Sequence, residues 1–332
     1  MQLTVLAEGH ADAGALTAPG MVWIPAGTFT MGSDRHYPEE APAHRVGVDG
    51  FFIDTTPVTN RAFAAFVDAT GYRTLAERDP CPADYPDADP RLLVPGSLVF
   101  IAPEHAVSHE DWTRWWRFMP GADWRHPQGP GSTVEGLEDH PVVHVAHEDA
   151  LAYARWCDKQ LPSEAEWEFA ARGGLEGAEF AWGDTLVPGG VHRANTWQGA
   201  FPQENSAEDG YAGTSPVRAY PANGYGVFDM IGNVWEWTDD WYAATHAASL
   251  PSAKACCVSR NPRGARREDS VDPLEAGALA PRKVLKGGSH LCAPSYCRRY
   301  RPAARQPQTL DTASVHIGFR CIRRIAPDAR PL

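Results

Sequence analysis

Apolar positions along the chain fall mostly into short runs broken by Gly and Pro, and three stretches keep a helical period. Residues 59–70 put Phe63, Phe66 and Val67 on one face, with Gly71 as the stop. Residues 148–160 align Ala150, Tyr153, Ala154 and Cys157 in a stripe, which makes Cys157 a small buried side chain. Ser163-Glu164-Ala165-Glu166 behind Pro162 forms a capping box, so a third helix starts near Ser163 and ends at Gly173-Gly174. Met21-Val22-Trp23-Ile24 and Gly27 to Gly32 read as two short strands with a turn at Ala26-Gly27, and Phe51-Phe52-Ile53-Asp54 reads as another. Residues 284–286 and 315–322 are expected to pair as strands near the end of the chain. The pattern predicts one α+β domain over residues 21–325 with little regular secondary structure, behind a tail or edge strand at residues 1–20.

Composition supports a loop-rich fold without dividing it. The chain has 332 residues, enough for one large domain or two average ones, and its 30 Gly, 29 Pro and 12 Trp point to aromatic packing rather than long helices. Residues 76–141 are dense in Pro, Asp and Trp, so Trp112, Trp115, Trp116 and Trp124 are expected to pack a satellite core or to line a peptide groove. The net charge of -12 argues against nucleic-acid or anionic-membrane binding and suits a cationic peptide. With no apolar stretch of spanning length and no basic, apolar start, the expectation is a soluble cytoplasmic protein. Seven cysteines cannot all pair with one another, which fits a reducing compartment.

The densest chemistry lies between Lys286 and Arg301. Cys292 and Cys297 flank Pro294, behind the turn-permitting pair Gly287-Gly288. Two converging sulfurs can form a disulfide, hold a soft metal such as Cu(I) or Zn(II), or exchange thiols, and the spacing alone leaves all three open. Arg298, Arg299 and Arg301 would favour thiolates. His105 with His109, and His140, His144 and His147, are weaker metal candidates, because Pro141 interrupts the second group. Asn195, Asp209, Asp229 and Glu236 lie in Gly-rich turns whose hard oxygens suit Ca2+. Cofactor fingerprints are absent: the sequence has no dinucleotide or Walker loop and no G-x-S-x-G elbow.

Gly287-Gly288-Ser289, Cys292, Ser295-Tyr296-Cys297, Arg299-Tyr300-Arg301 and Gly318-Phe319-Arg320-Cys321 together resemble the C-terminal signature of the formylglycine-generating enzymes, or sulfatase-modifying factors, of bacterial type. The resemblance continues through residues 21–32, 123–127, 161–174, 195–213 and 223–237. It implies a C-type-lectin-like fold and an oxidase that uses Cu(I) and O2 to convert a peptidyl cysteine to Cα-formylglycine. By the same resemblance, Cys292 and Cys297 would bind copper, with Ser289 and Tyr296 beside the oxygen pocket, Trp235 in its wall and Arg301 as a supporting cation. Two structural calcium ions are implied. One would be held by Asn195, Thr196, Asp209 and Tyr211, the other by Asp229, Gly232, Val234 and Glu236.

The implied partners are an unfolded or nascent sulfatase carrying Cys-x-Pro-x-Arg, dioxygen and a thiol reductant, with neither nucleic acid nor membrane. Ala154 stands where some members carry a helix cysteine bridged to the position of Cys321, so a Cys157–Cys321 bridge is left open. Cys256 and Cys257 fall outside the shared motifs. The rival readings are a calcium-braced peptide-binding module with Cys292 and Cys297 in an inert disulfide, and an iron sulfoxide synthase, for which the sequence lacks a three-histidine site.

Overall fold

The computed structural model describes residues 18–85, 88–246, 258–272 and 280–325. The expected tail lies almost wholly outside these, as do Cys256 and Cys257. In chain order the elements are β1 (Met21–Ile24), β2 (Gly27–Met31), β3 (His44–Val48), β4 (Phe51–Asp54), α1 (Asn60–Thr70), β5 (Gly96–Phe100), β6 (Trp116–Pro120), α2 (His147–Trp156) and α3 (Glu164–Arg172). They continue with β7 (Trp235–Trp241), β8 (Ser259–Arg260), β9 (Arg282–Lys286), β10 (Arg305–Thr309), β11 (Ile317–Gly318) and β12 (Ile322–Arg324).

Four small sheets, ordered β1-β4-β12, β10-β9-β7-β11, β2-β3-β8 and β5-β6, carry these strands. The first and last strands thus meet on opposite edges of β4, tying the ends of the described chain together. Such a mixed, loop-rich architecture is the expected α+β domain.

Local signals place the helices. Thr59 caps α1 by accepting from the Ala62 N–H, Phe63, Phe66 and Val67 are buried, and Gly71 ends the helix in the left-handed region. Helix α2 stops four residues short of the expected Gln160. The backbone turns at Asp158, which has φ 53°, and Gln160 instead bridges to Ile322. Cys157 becomes the half-buried C-cap rather than a core residue.

The two strands expected before residue 32 form, β1 joining β4 and β2 joining β3. One strand expectation needs correction: residues 284–286 do not pair with 315–322. β9 lies between β10 and β7, whereas Ile317–Gly318 runs parallel to β7 and Ile322–Arg324 crosses to β4. Phe319, Arg320 and Cys321 are fully buried between those two short strands, so the run is divided by core packing. The tryptophans are divided too: Trp115 joins a satellite cluster with Trp197 and Phe201, Trp124 meets Phe63 in the main core, and Trp112 stays exposed.

The capping box Ser163/Glu166 and the Gly173 cap of α3 form as expected, but every residue of α3 is buried. Its glutamates therefore require partners inside the protein. Arg305 forks onto Glu164 at 2.8 and 2.9 Å, Lys286 Nζ lies 3.0 Å from Glu168, Arg172 also binds Glu168, and Arg324 forks onto Glu166. Burial alone would raise the Glu164 pKa, yet Arg305 and Lys286 outweigh it and hold the group at about 2. Lys286 and Arg305 bracket the cysteine loop, so this cluster anchors both of its ends.

Glu164→Gln is expected to lower stability at neutral pH by roughly 3–5 kcal/mol, because it strips a partner from two buried cations. A folded pKa below the ordinary 4.5 gives stability that is complete above 4.5 and lost as pH falls toward 2. Thermal melts of wild type and variant at pH 7, 4 and 3 check the sign: the gap should narrow only below the ordinary carboxylate pKa.

Candidate active site around the cysteine pair

The cysteine loop leaves β9 through Gly287 and Gly288, both at positive φ. A Cβ on Gly288 would lie 2.8 Å from the Arg299 carbonyl oxygen, so the two ends of the loop touch there only because the side chain is absent. Ser289 then caps a turn, its Oγ accepting from the Leu291 N–H and its carbonyl from the Cys292 N–H. A second turn follows, in which the Ala293 carbonyl accepts from both Tyr296 and Cys297. These turns bring Cys292 Sγ and Cys297 Sγ to 3.2 Å, well beyond the roughly 2.05 Å of a disulfide bond, and both thiols are free.

The two sulfurs are electrostatically unequal. Cys297 is pulled down to about 6, first by hydrogen bonding from the Cys292 thiol and then, against burial, by Arg299. Burial pushes Cys292 well up, and its neighbour's negative charge adds to this. Of the two sulfurs, Cys297 is therefore the one whose thiolate form is favoured. Of the cationic flank, Arg299 alone turns to the sulfurs among the described contacts, with Nη1 at 3.9 Å from Cys297 Sγ. Arg298 pairs with Glu179, and Arg301 forks onto the fully buried Glu40. The geometry thus gives Arg301 a loop-anchoring contact and places Arg299, a less obvious candidate, at the thiols.

An aromatic wall stands next to the pair. Tyr296 stacks on Phe201 with ring centroids 4.5 Å apart and meets the edges of Trp115 and His109. Trp197 packs on Phe201, and its backbone N–H donates to the Cys292 carbonyl. Trp235 is buried in the main core at the start of β7, its N–H held by the His316 carbonyl. Trp197 and Phe201 lie in the 195–213 stretch without being singled out there, and His109 stands out in the sequence only for its spacing from His105.

The other expected clusters differ in how they assemble. His140 binds Thr214, His144 spans Ser97 and the Pro127 carbonyl, and His147 lies near Asp239, so these three rings go to separate partners. His109 contacts the Phe201 carbonyl. Among the described residues no group of three His, Cys, Asp or Glu side chains is arranged to hold a metal. Cys157 and Cys321 are both free thiols, and Cys157 Sγ donates to the Ala154 carbonyl.

Of the two expected oxygen sets, part of the first is brought together. Asn195 Oδ1 is buried without a partner, and one Gln198 amide group donates to both the Thr196 carbonyl and Asp209 Oδ2. Asp209 Oδ1 accepts from the Tyr211 N–H. These oxygens fit a hard cation. In the second set Arg320 and Trp167 already occupy the Glu236 carboxylate, while burial raises Asp229 to about 6. Gly232 approaches so closely that a Cβ would lie 2.3 Å from the Asn195 carbonyl oxygen. Asn233 then donates to that carbonyl, and the Asn233 carbonyl accepts from the His290 N–H beside the cysteine loop.

Comparison with known proteins sets this site in a wider context. A family model described as a sulfatase-modifying factor enzyme 1-like domain matches residues 8–325. The chain is 52% identical over 302 residues to the formylglycine-generating enzyme of Mycobacterium tuberculosis, covering 91% of this chain and 97% of that one. It is 46% identical over 311 residues to the formylglycine-generating enzyme of Thermomonospora curvata, covering 92% and 93%. A mouse relative named inactive Cα-formylglycine-generating enzyme 2 is 38% identical, covering 94% and 87%. The structure of PvdO from Pseudomonas aeruginosa shares the fold at a TM-score of 0.62 and 24% identity, covering 92% and 94%. The cysteine loop and the frame around it therefore belong to a member of the sulfatase-modifying factor (formylglycine-generating enzyme) family.

Proposed function

We propose that this chain oxidises the cysteine of a Cys-x-Pro-x-Arg segment in an unfolded or nascent sulfatase to Cα-formylglycine, working in the cytoplasm. The observation that carries the reading is the buried pair of free thiols at 3.2 Å, in a loop whose two ends are fixed independently. In the overall change the thiol R–CH2–SH and dioxygen, with two electrons and two protons from a thiol reductant, give the aldehyde R–CHO, one hydrogen sulfide and one water.

Cys292 and Cys297 are soft donors suited to Cu(I), which supplies the one-electron route to O2 that closed-shell thiols lack. The residues of the chain do the rest. Ser289 holds the loop turn, and its N–H lies 3.4 Å from Cys292 Sγ. Tyr296 is the exposed residue just before Cys297 in the chain and its ring is stacked on Phe201, so in this reading a peptide cysteine enters along the aromatic wall. Trp235, buried in the core at the start of β7, would exclude water from that side.

Strand β5 leads away from this wall: Phe100 packs on Phe201 and Trp197, while Gly96 to Leu98 line a cleft of about 640 Å3. Asp79, Glu148 and Asp311 face the same cleft with Arg78, an acidic balance that suits the substrate arginine. In this reading calcium in the Asn195 and Asp229 sets braces the turns that hold His290 and Cys292. None of these features calls for a nucleic acid or a membrane, and among the described residues no helix is long and apolar enough to cross one.

Four outcomes test this. A Cys-x-Pro-x-Arg peptide incubated aerobically with the protein, Cu(I) and a thiol reductant should gain formylglycine by mass spectrometry. Cys292→Ala or Cys297→Ala should reduce the rate by more than about a hundredfold, as removal of a reacting group does; an unchanged peptide with copper bound and thiols reduced would overturn the reading. In the metal-free reduced protein, alkylation of Cys297 should rise with pH around a midpoint near 6, and Cys292→Ala should move that midpoint up, because the largest lowering influence is the Cys292 thiol. Removing calcium should lower the melting temperature, and Asn195→Ala should lower it with calcium present and blunt the response to chelation.

A further inference from the structure

Arg299 is held on three sides. Its Nη2 and Nε bind Glu39 Oε1 at 2.7 and 3.3 Å, and its Cζ sits 3.9 Å above the Tyr37 ring. Tyr37 is fixed in turn, since its hydroxyl accepts from the Arg298 N–H at 3.1 Å. The remaining edge of the guanidinium, Nη1, points to Cys297 Sγ at 3.9 Å. Glu39 and Tyr37 come from a segment 260 residues away in the chain, so the clamp is a tertiary construction. The neighbouring cations cannot substitute, because Arg298 and Arg301 are engaged by Glu179 and Glu40.

We propose that Arg299 is the counter-charge of the metal-loaded cysteine pair and that Glu39 is the positioning residue that aims it. The inference rests on the copper reading above. Cys292 and Cys297 holding one Cu(I) as thiolates would leave a net negative charge in a buried place, and a substrate thiolate beside them would add another; leaving a buried charge unpaired is strongly unfavourable. A guanidinium fixed at one sulfur offsets that charge and remains charged throughout. Glu39 takes the Nε and Nη2 side of the fork, which leaves Nη1 free for the sulfur. Tyr37 supports the plane from below and contributes a cation–π contact.

The test is the Cu(I) affinity of the purified full chain, measured by competition with a chromogenic Cu(I) chelator, alongside its melting temperature. Arg299→Met should weaken Cu(I) binding about 10- to 100-fold, the usual effect of losing a group that supports metal ligands. Arg299→Lys should recover part of the loss. Glu39→Gln should weaken binding less, and the double variant Glu39→Gln/Arg299→Met should be no worse than Arg299→Met alone, because Glu39 acts through Arg299. Glu39→Asp, which keeps the charge, should lie nearer wild type. Should Arg299→Met fail to fold, Arg299→Gln and the Glu39 variants carry the same comparison.

Wild-type Cu(I) binding with Arg299→Met or Arg299→Gln within about threefold of it would overturn the counter-charge and leave the copper reading standing. Additive losses in the double variant would overturn the role of Glu39. Wild-type protein that does not bind Cu(I) through the pair would overturn both.

Discussion

The structure turns on the burial of α3. A helix enclosed on every side that carries Glu164, Glu166, Glu168 and Arg172 must find its counter-charges within the protein, and their positions decide what is held. Lys286 is the last residue of β9, immediately before Gly287-Gly288, and Arg305 opens β10 after the cysteine loop. Both converge on Glu164. Arg301 adds a second tie at the end of the loop through Glu40. The cysteine loop is thus suspended between charges that cannot separate without leaving ions unpaired in a dry interior. Apolar side chains of similar volume could fill this space, but they would not fix which residue meets which.

That frame explains why similar residues in one short run take different parts. Arg298, Arg299, Arg301 and Arg305 lie within eight positions of one another, and sequence alone offers all of the first three to the thiols. The structure assigns them by the anions each can reach: Glu179, Glu39, Glu40 and Glu164 in turn. Only the Glu39 contact leaves one guanidinium edge facing a sulfur. Local composition therefore says that cations are present, and tertiary pairing says which one acts on the pair.

The limits of sequence reading follow from the same distinction. The caps of α1 and α3, the turn made by Gly287-Gly288 and the convergence of Cys292 with Cys297 were legible because each depends on residues a few positions apart. The ending of α2 was not, because Gln160 is drawn into a bridge with Ile322. Residues 315–322 look like one strand by apolar pattern, but they serve two sheets in succession, an arrangement with no local signature. Glu39 and Glu40 read as ordinary acidic residues after Pro38, and nothing near them announces arginines about 260 positions later. Phe201 likewise gains its importance from the rings that converge on it.

The chemistry and the frame are separable in this architecture. The contacts that secure the loop run through Gly288, Lys286, Arg301 and the Asn195–Asn233–His290 chain of backbone hydrogen bonds, and none needs either sulfur. Replacing a thiol would therefore alter the cysteine pair while leaving these supports in place. The reverse does not hold. The sulfurs are aligned by turns at Ser289 and Ala293 that the frame suspends, so a defect in the ionic anchor or in the Asn195 turn reaches the thiols through a path of named contacts. The precision of the pair is a property of residues scattered along most of the chain, even though the pair itself occupies one loop.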